Sequence, residues 1–129
     1  MNKRTIGNAA LLLAALAATA CGDGVMQRRN GGYTINTTTI GADATGFNGP
    51  TPLLIHIRED KVEGIEALEN NETPSYFEPV QEDLLGRWDG LTVDEALNAE
   101  VDVVSGSTYS SEAVVRNVKL GLQYYKAHR

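Results

Sequence analysis

Residues Leu53 to Arg58 alternate, with Leu53, Ile55 and Ile57 on one face and Leu54, His56 and Arg58 on the other. That is the period of a half-buried β-strand. Val62 to Leu68 reads as its hairpin partner across a Glu59-Asp60-Lys61 turn. Tyr33 to Ile40, rich in Thr, Ile and Tyr, predicts a further strand, and Ala42 to Pro52 is a loop punctuated by Gly46, Asn48-Gly49, Pro50 and Pro52. The second half of the chain changes to helical spacing. A first helix is predicted over Pro79 to Gly86, with Pro79 in its first turn and Val80, Leu84 and Trp88 on one face. Thr92-x-x-Glu95 is a capping box that opens a short helix through Leu97. Ser111 to Lys126 is the clearest element: Val114, Val118, Gly121, Leu122 and Tyr125 form an apolar stripe opposite Glu112, Arg116, Lys119, Gln123 and Lys126. Two or three antiparallel strands are not stable alone in water, so helices must cover one face. The expected fold class is α+β, a small antiparallel sheet packed against helices, with a long C-terminal helix.

The first twenty residues have a different character. Lys3 and Arg4 precede an apolar run from Ala9 to Ala18, and small residues lead up to Cys21. This is the layout of a targeting segment, and the run is too short for a comfortable membrane span. Ala18-Thr19-Ala20 suits ordinary signal peptidase, whereas a cysteine just after the cut marks a bacterial lipoprotein, although Ala18 stands where leucine is usual. Cys21 is the single cysteine of the chain, so no internal disulfide or Cys-x-x-Cys pair can form. Lipidation explains a lone cysteine at that place. The expected organisation is a lipoprotein signal over residues 1–20, a linker over 21–31 and one domain over 32–129. Such a chain is tethered to a membrane rather than spanning it, on the extracytoplasmic side, in the periplasm or at the cell surface.

Length and charge narrow the function. The 129 residues carry a net charge of −6 and 42% hydrophobic residues, which suits one small domain with a modest core. That charge argues against a nucleic-acid surface, which needs clustered Lys and Arg. His56 and His128 have no Cys or acidic partner at a ligand spacing, so no metal site is read from them. The acidic stretches Glu59-Asp60, Glu63-Glu66-Glu69 and Glu82-Asp83 read as solvated faces.

The chemistry concentrates in Asp102-Val-Val-Ser105-Gly106-Ser107-Thr108-Tyr109-Ser110-Ser111, which runs into the last helix. Free amides and the helix dipole make such a terminus receptive to anions, phosphate above all. This segment resembles the FMN-attachment motif of the flavin-binding domain in the C subunit of sodium-pumping NADH:quinone oxidoreductase and the G subunit of Rnf complexes. The same domain occurs in small bacterial lipoproteins. Asp102, Ser105, Gly106, Thr108, Ser110 and Ser111 match the motif in place, while Ser107 stands where the family has alanine. Gly46-Phe47-Asn48-Gly49-Pro50 and Asn70-Asn71-Glu72-Thr73-Pro74 are similar to two further family segments, in the same order. The likeness covers roughly Gly32 to Tyr125.

The resemblance implies an FMN cofactor, joined through its phosphate to Thr108 by a separate flavin transferase. It implies an electron carrier rather than an enzyme, with membrane redox proteins as donor or acceptor. Cofactor contacts are expected from Asp102, Ser105, Gly106, Ser107, Thr108, Ser110 and Ser111, and from Glu72 and Thr73 of the second signature. Ser110 or Ser111 would cap the helix, and Arg116 would offset Glu112 through an i,i+4 pair. Tyr109, Phe47, Tyr76 and Trp88 are candidates to line the flavin slot. Two alternatives stand beside this reading: FMN held without a covalent bond, with Ser107 spoiling transferase recognition, or a cofactor-free lipoprotein binding module.

Overall fold

The computed structural model describes residues 24–129; the targeting segment and the lipidation candidate Cys21 lie outside them. Four strands form one antiparallel sheet in chain order: β1 (Met26–Arg29), β2 (Gly32–Asn36), β3 (Leu53–Arg58) and β4 (Lys61–Ala67). Helix α1 (Pro74–Asp83) runs into a 3-10 turn (Leu85–Trp88), followed by the short α2 (Val93–Asn98) and the long α3 (Thr108–His128). The α+β class expected from the hydrophobic pattern is the one observed.

The β3–β4 hairpin forms where the alternation places it. Leu53, Ile55 and Ile57 are buried, while Leu54 and His56 are half-covered and Arg58 is exposed. The turn is Glu59-Asp60, both with positive φ (52° and 64°), a conformation that costs a residue with a Cβ about 1–2 kcal/mol. Asp60 is held there: its carboxylate accepts from Tyr125 Oη at 2.9 Å and Arg129 Nη1 at 2.7 Å. Helix α3 lies over the buried face of the sheet, with Val114, Val118, Gly121, Leu122 and Tyr125 inward and the predicted polar stripe exposed. Gly121 is required by that approach, since a Cβ there would come within 2.5 Å of Ile55 Cδ1.

Several expectations are corrected. Met26–Arg29, read as linker, is an edge strand paired with β2 through an Asn30-Gly31 turn. The strand expected to reach Ile40 ends at Asn36, whose Oδ1 accepts from the Thr38 amide (2.9 Å) and hydroxyl (2.6 Å), a local turn that competes with the ladder. Helix α1 begins five residues before the expected Pro79, at Pro74, the proline that occupies its first position. Pro79 lies inside it. Phe77 and Val80 supply its buried face, and Leu84 and Trp88 continue the same core through the 3-10 turn. Trp88, 2% exposed, is a core residue and not part of any slot. The Thr92–Glu95 capping box is present with both of its bonds.

Under α3 sits a buried polar tie. Asn117 Nδ2 donates to Thr51 O (2.9 Å), Thr51 Oγ1 (3.1 Å) and Ala113 O (3.1 Å), and Thr37 Oγ1 accepts from Leu53 N at 2.9 Å. These bonds fix both ends of the loop between β2 and β3, which carries Gly46, Phe47 and Asn48 beyond the sheet to the start of α3.

Candidate functional site

Helix α3 starts at Thr108, three residues earlier than its apolar spacing suggested. Gly106, with φ of +85°, reverses the chain, and a turn closes as Ser107 N donates to Val104 O at 2.9 Å. The loop is folded back on the helix, because Val104 N donates to Ser111 Oγ at 3.0 Å. No side chain caps this terminus. The expectation that Ser110 or Ser111 would cap it is therefore corrected: both lie within the first turn and are bonded elsewhere. The leading amides of Thr108, Tyr109 and Ser110 have no intrahelical acceptor, as in any first turn.

Glu72 organises the surroundings. It is 7% exposed. One oxygen accepts from Phe47 N at 2.9 Å and the other from Asn48 N at 2.6 Å, and Ser110 Oγ donates to the same carboxylate. The second signature thereby clamps the Gly46–Asn48 loop to the first turn of α3. Gly46 passes so close that a Cβ would lie 2.3 Å from Glu72 Oε1 and 3.2 Å from Ser110 Cα. Asn48 Nδ2 adds a bond to Thr73 Oγ1 at 3.3 Å. Ser107, also 7% exposed, donates from Oγ to Tyr76 O at 2.6 Å and so ties the motif to α1.

These contacts enclose a hollow of about 360 Å³, with its floor at Glu72, Ser107 and Ser110, Gly106 and Thr108 along one side, and Phe47, Tyr76 and Tyr109 around the mouth. The three rings stand in solvent, 72%, 58% and 66% exposed, and Phe47 and Tyr109 face each other at 6.2 Å between centroids. Exposed aromatics around a concavity are what a planar heteroaromatic ligand needs, and free amides beside them suit its phosphate. Larger hollows lie beside β4 and beside Val103–Ser105. The first is bordered by Glu63, Glu66, Glu82 and Asp89, which disfavour a phosphate-bearing ligand, and the second by Glu82, Asp83 and Arg87 with no aromatic ring in its lining.

Of the residues expected to contact a cofactor, Thr108, Gly106, Ser107, Ser110, Glu72 and Thr73 line this hollow. Asp102, Ser105 and Ser111 do not: Asp102 and Ser105 are exposed on the approach, and Ser111 is buried behind the first turn. The Glu112–Arg116 pair does not form among the described residues, whose four ion pairs are elsewhere. Gly46 and the tie from Ser107 to Tyr76 were not legible as site features, because both depend on segments brought together over 26 to 64 positions of sequence. His56 lies 2.6 Å from Glu66 Oε2, and His128 stacks on Tyr124 at 3.8 Å.

The model of the FMN-binding domain matches residues 46–123, more than half of the chain. This protein belongs to the FMN-binding domain family. The matched span runs from Gly46 into α3 and includes every wall of the hollow. FMN is the cofactor of this domain, and the residues present fit it: three rings for the isoalloxazine, and a helix terminus with small side chains for the phosphate. The G subunit of the ion-translocating oxidoreductase complex of Shewanella piezotolerans (strain WP3 / JCM 13877) is 28% identical to this FMN-binding domain, over 81% of this chain and 55% of that protein. The chain thus spans about half the length of that relative. Among the described residues no helix is long and apolar enough to cross a membrane.

Proposed function

We propose that this FMN-binding domain is an electron carrier, holding FMN at the start of α3 with its phosphate esterified to Thr108. It would be tethered outside the cytoplasm by lipidated Cys21. The observation that carries the reading is the position of Thr108: first residue of α3, exposed, and on the side of a hollow ringed by three aromatic side chains. FMN supplies the electron-transfer chemistry, and the protein supplies position and electrostatics. Phe47, Tyr76 and Tyr109 would flank the ring, while the amides of Thr108 to Ser110 would hold phosphate oxygens.

Attachment needs help from outside. No described side chain makes a hydrogen bond to the Thr108 hydroxyl, and an unassisted threonine is a poor nucleophile. A flavin transferase would therefore bring an activated flavin phosphoanhydride. The Thr108 oxygen–phosphorus bond forms, the anhydride bond breaks toward the leaving phosphate, and a base on the transferase takes the hydroxyl proton. Exposure of Thr108 supports such access. Ser107 does not stand in the way, because its hydroxyl is buried and turned to Tyr76 O; this favours covalent over loosely held FMN.

Membrane redox proteins are the proposed donor or acceptor, in keeping with the oxidoreductase-complex relative. The layout supports a tether facing them. Val25 O accepts from Asn36 N at 2.7 Å, so the chain enters the sheet at the end where Leu53 and the Gly46–Asn48 loop lie. A lipid on Cys21 would hold the hollow toward the membrane.

The test is flavin fluorescence on a denaturing gel, after co-expression with a flavin transferase. Wild type should fluoresce and Thr108→Ala should be dark while folding normally. A fluorescent Thr108→Ala band would end the attachment claim, and a colourless native wild-type protein would end the flavin reading altogether.

A further inference from the structure

Charge is distributed unevenly over the fold. Glu78, Glu82, Asp83, Glu100, Asp102 and Glu112 are exposed on α1, on the segment leading to Ser105 and just past the first turn of α3. None of them takes part in an ion pair among the described residues. All four ion pairs lie away from the hollow, on the β3–β4 hairpin (His56–Glu66, Arg58–Glu63) and at the far end of α3 (Lys126–Asp94, Arg129–Asp60). Arg28, Arg29, Arg58, Lys61, Lys126 and Arg129 are also toward that far end, where β1 and β2 turn, leaving Arg87, Arg116 and Lys119 as the nearer cations. The exposed large apolar side chains have the opposite distribution: Phe47, Tyr76, Tyr109 and Val103 are all at the hollow or on its approach.

We propose that the aromatic rim of the hollow and the unpaired carboxylates around it form a docking face for a redox protein with a cationic surface. This rests on the electron-carrier reading and names the chemistry of its partner. Unpaired like charges around an apolar centre raise encounter rates with an oppositely charged partner and fix its orientation. The same charge disfavours another occupant. A second copy would bring carboxylates against carboxylates.

Ferric mitochondrial cytochrome c, strongly basic, serves as the probe partner, and ferricyanide as a small anionic control. The flavin-loaded protein is reduced with dithionite and its oxidation followed by stopped flow. Two ferric haems become ferrous per reduced flavin oxidised, with the protons passing to solvent. The second-order rate with cytochrome c should fall about tenfold or more from low to high ionic strength, while that with ferricyanide should not fall. The triple variant Glu78→Lys, Glu100→Lys, Glu112→Lys should slow cytochrome c by about tenfold at low salt. An equal charge change at Glu59, Glu63 and Asp89, on the hairpin side, should leave it within about twofold. Equal slowing by both triples, or no salt dependence, would overturn the docking face. If the preparation lacks flavin, the electron-carrier reading fails, and docking is then decided by the cytochrome c affinity of the two triples in a chemical-shift titration.

Discussion

Glu72 accepts the amide hydrogen of Phe47 at 2.9 Å, across 25 positions of sequence. One buried carboxylate thereby determines where an exposed aromatic ring stands relative to the start of α3. Its oxygens are occupied by Phe47 N, Asn48 N and Ser110 Oγ, so Glu72 shapes the hollow from behind.

Glu72→Ala should strand two loop amides and lower stability by about 2–3 kcal/mol. Glu72→Gln keeps an acceptor but turns an NH₂ toward a backbone N–H, and about half that loss is expected. Urea denaturation measures both, and flavin content should fall in the same order. If both variants keep full flavin content, Glu72 does not set the position of the Phe47 loop.

Gly46→Ala places a methyl group 2.3 Å from Glu72 Oε1, and should cost about 1–3 kcal/mol through forced displacement. Gly64→Ala is the control: nothing lies within 4 Å of its added Cβ and its φ is not positive. It should be neutral or stabilising by up to about 1 kcal/mol. Thermal melts of the pair, compared side by side, read the difference.

Glu59 is exposed with φ of 52°. Replacement by Gly removes left-handed strain of about 1–2 kcal/mol and adds about 0.5–1 kcal/mol of backbone entropy to the unfolded chain. The first effect is larger, so Glu59→Gly should raise the urea midpoint. A lowered midpoint would mean the turn is not strained.

Tyr125 has its phenol held above the ordinary value of 10.0, first by burial and then by the hydrogen bond to Asp60. The folded state therefore keeps a proton that the unfolded state has begun to lose. The resulting stabilisation is complete below pH 10 and fades as pH rises through the higher folded value. Stability of the wild type should decline in that alkaline range more steeply than that of Tyr125→Phe, which has no phenol to titrate. Parallel curves would exclude the linkage.

The strongest readings from the sequence were those in which one segment carries its own signal. The Leu53–Arg58 alternation, the Thr92–Glu95 capping box and the α3 stripe each repeat over a few residues and survive into the structure. Asn30-Gly31 is a hairpin signal of the same local kind, masked by the polar residues before it. That polarity belongs to an exposed edge strand. At α1 the competing signal was Pro79. A proline at a helix start is the common case, yet the helix runs through it, started by Pro74 and held by Phe77 and Val80 in the core.

By itself the sequence determined the α+β class, the anion-receptive helix terminus and the three flavin-family segments, since local periodicity, capping and motif order need no knowledge of distant neighbours. Only the tertiary structure decided what each segment does in the site. Glu72 and Ser107 read as cofactor contacts, and folding gives their polar groups protein partners 24 to 38 positions away and leaves Phe47, Tyr76 and Tyr109 standing in solvent. A buried polar group takes whichever partner the packing brings within reach, and that depends on how loop, α1 and α3 meet.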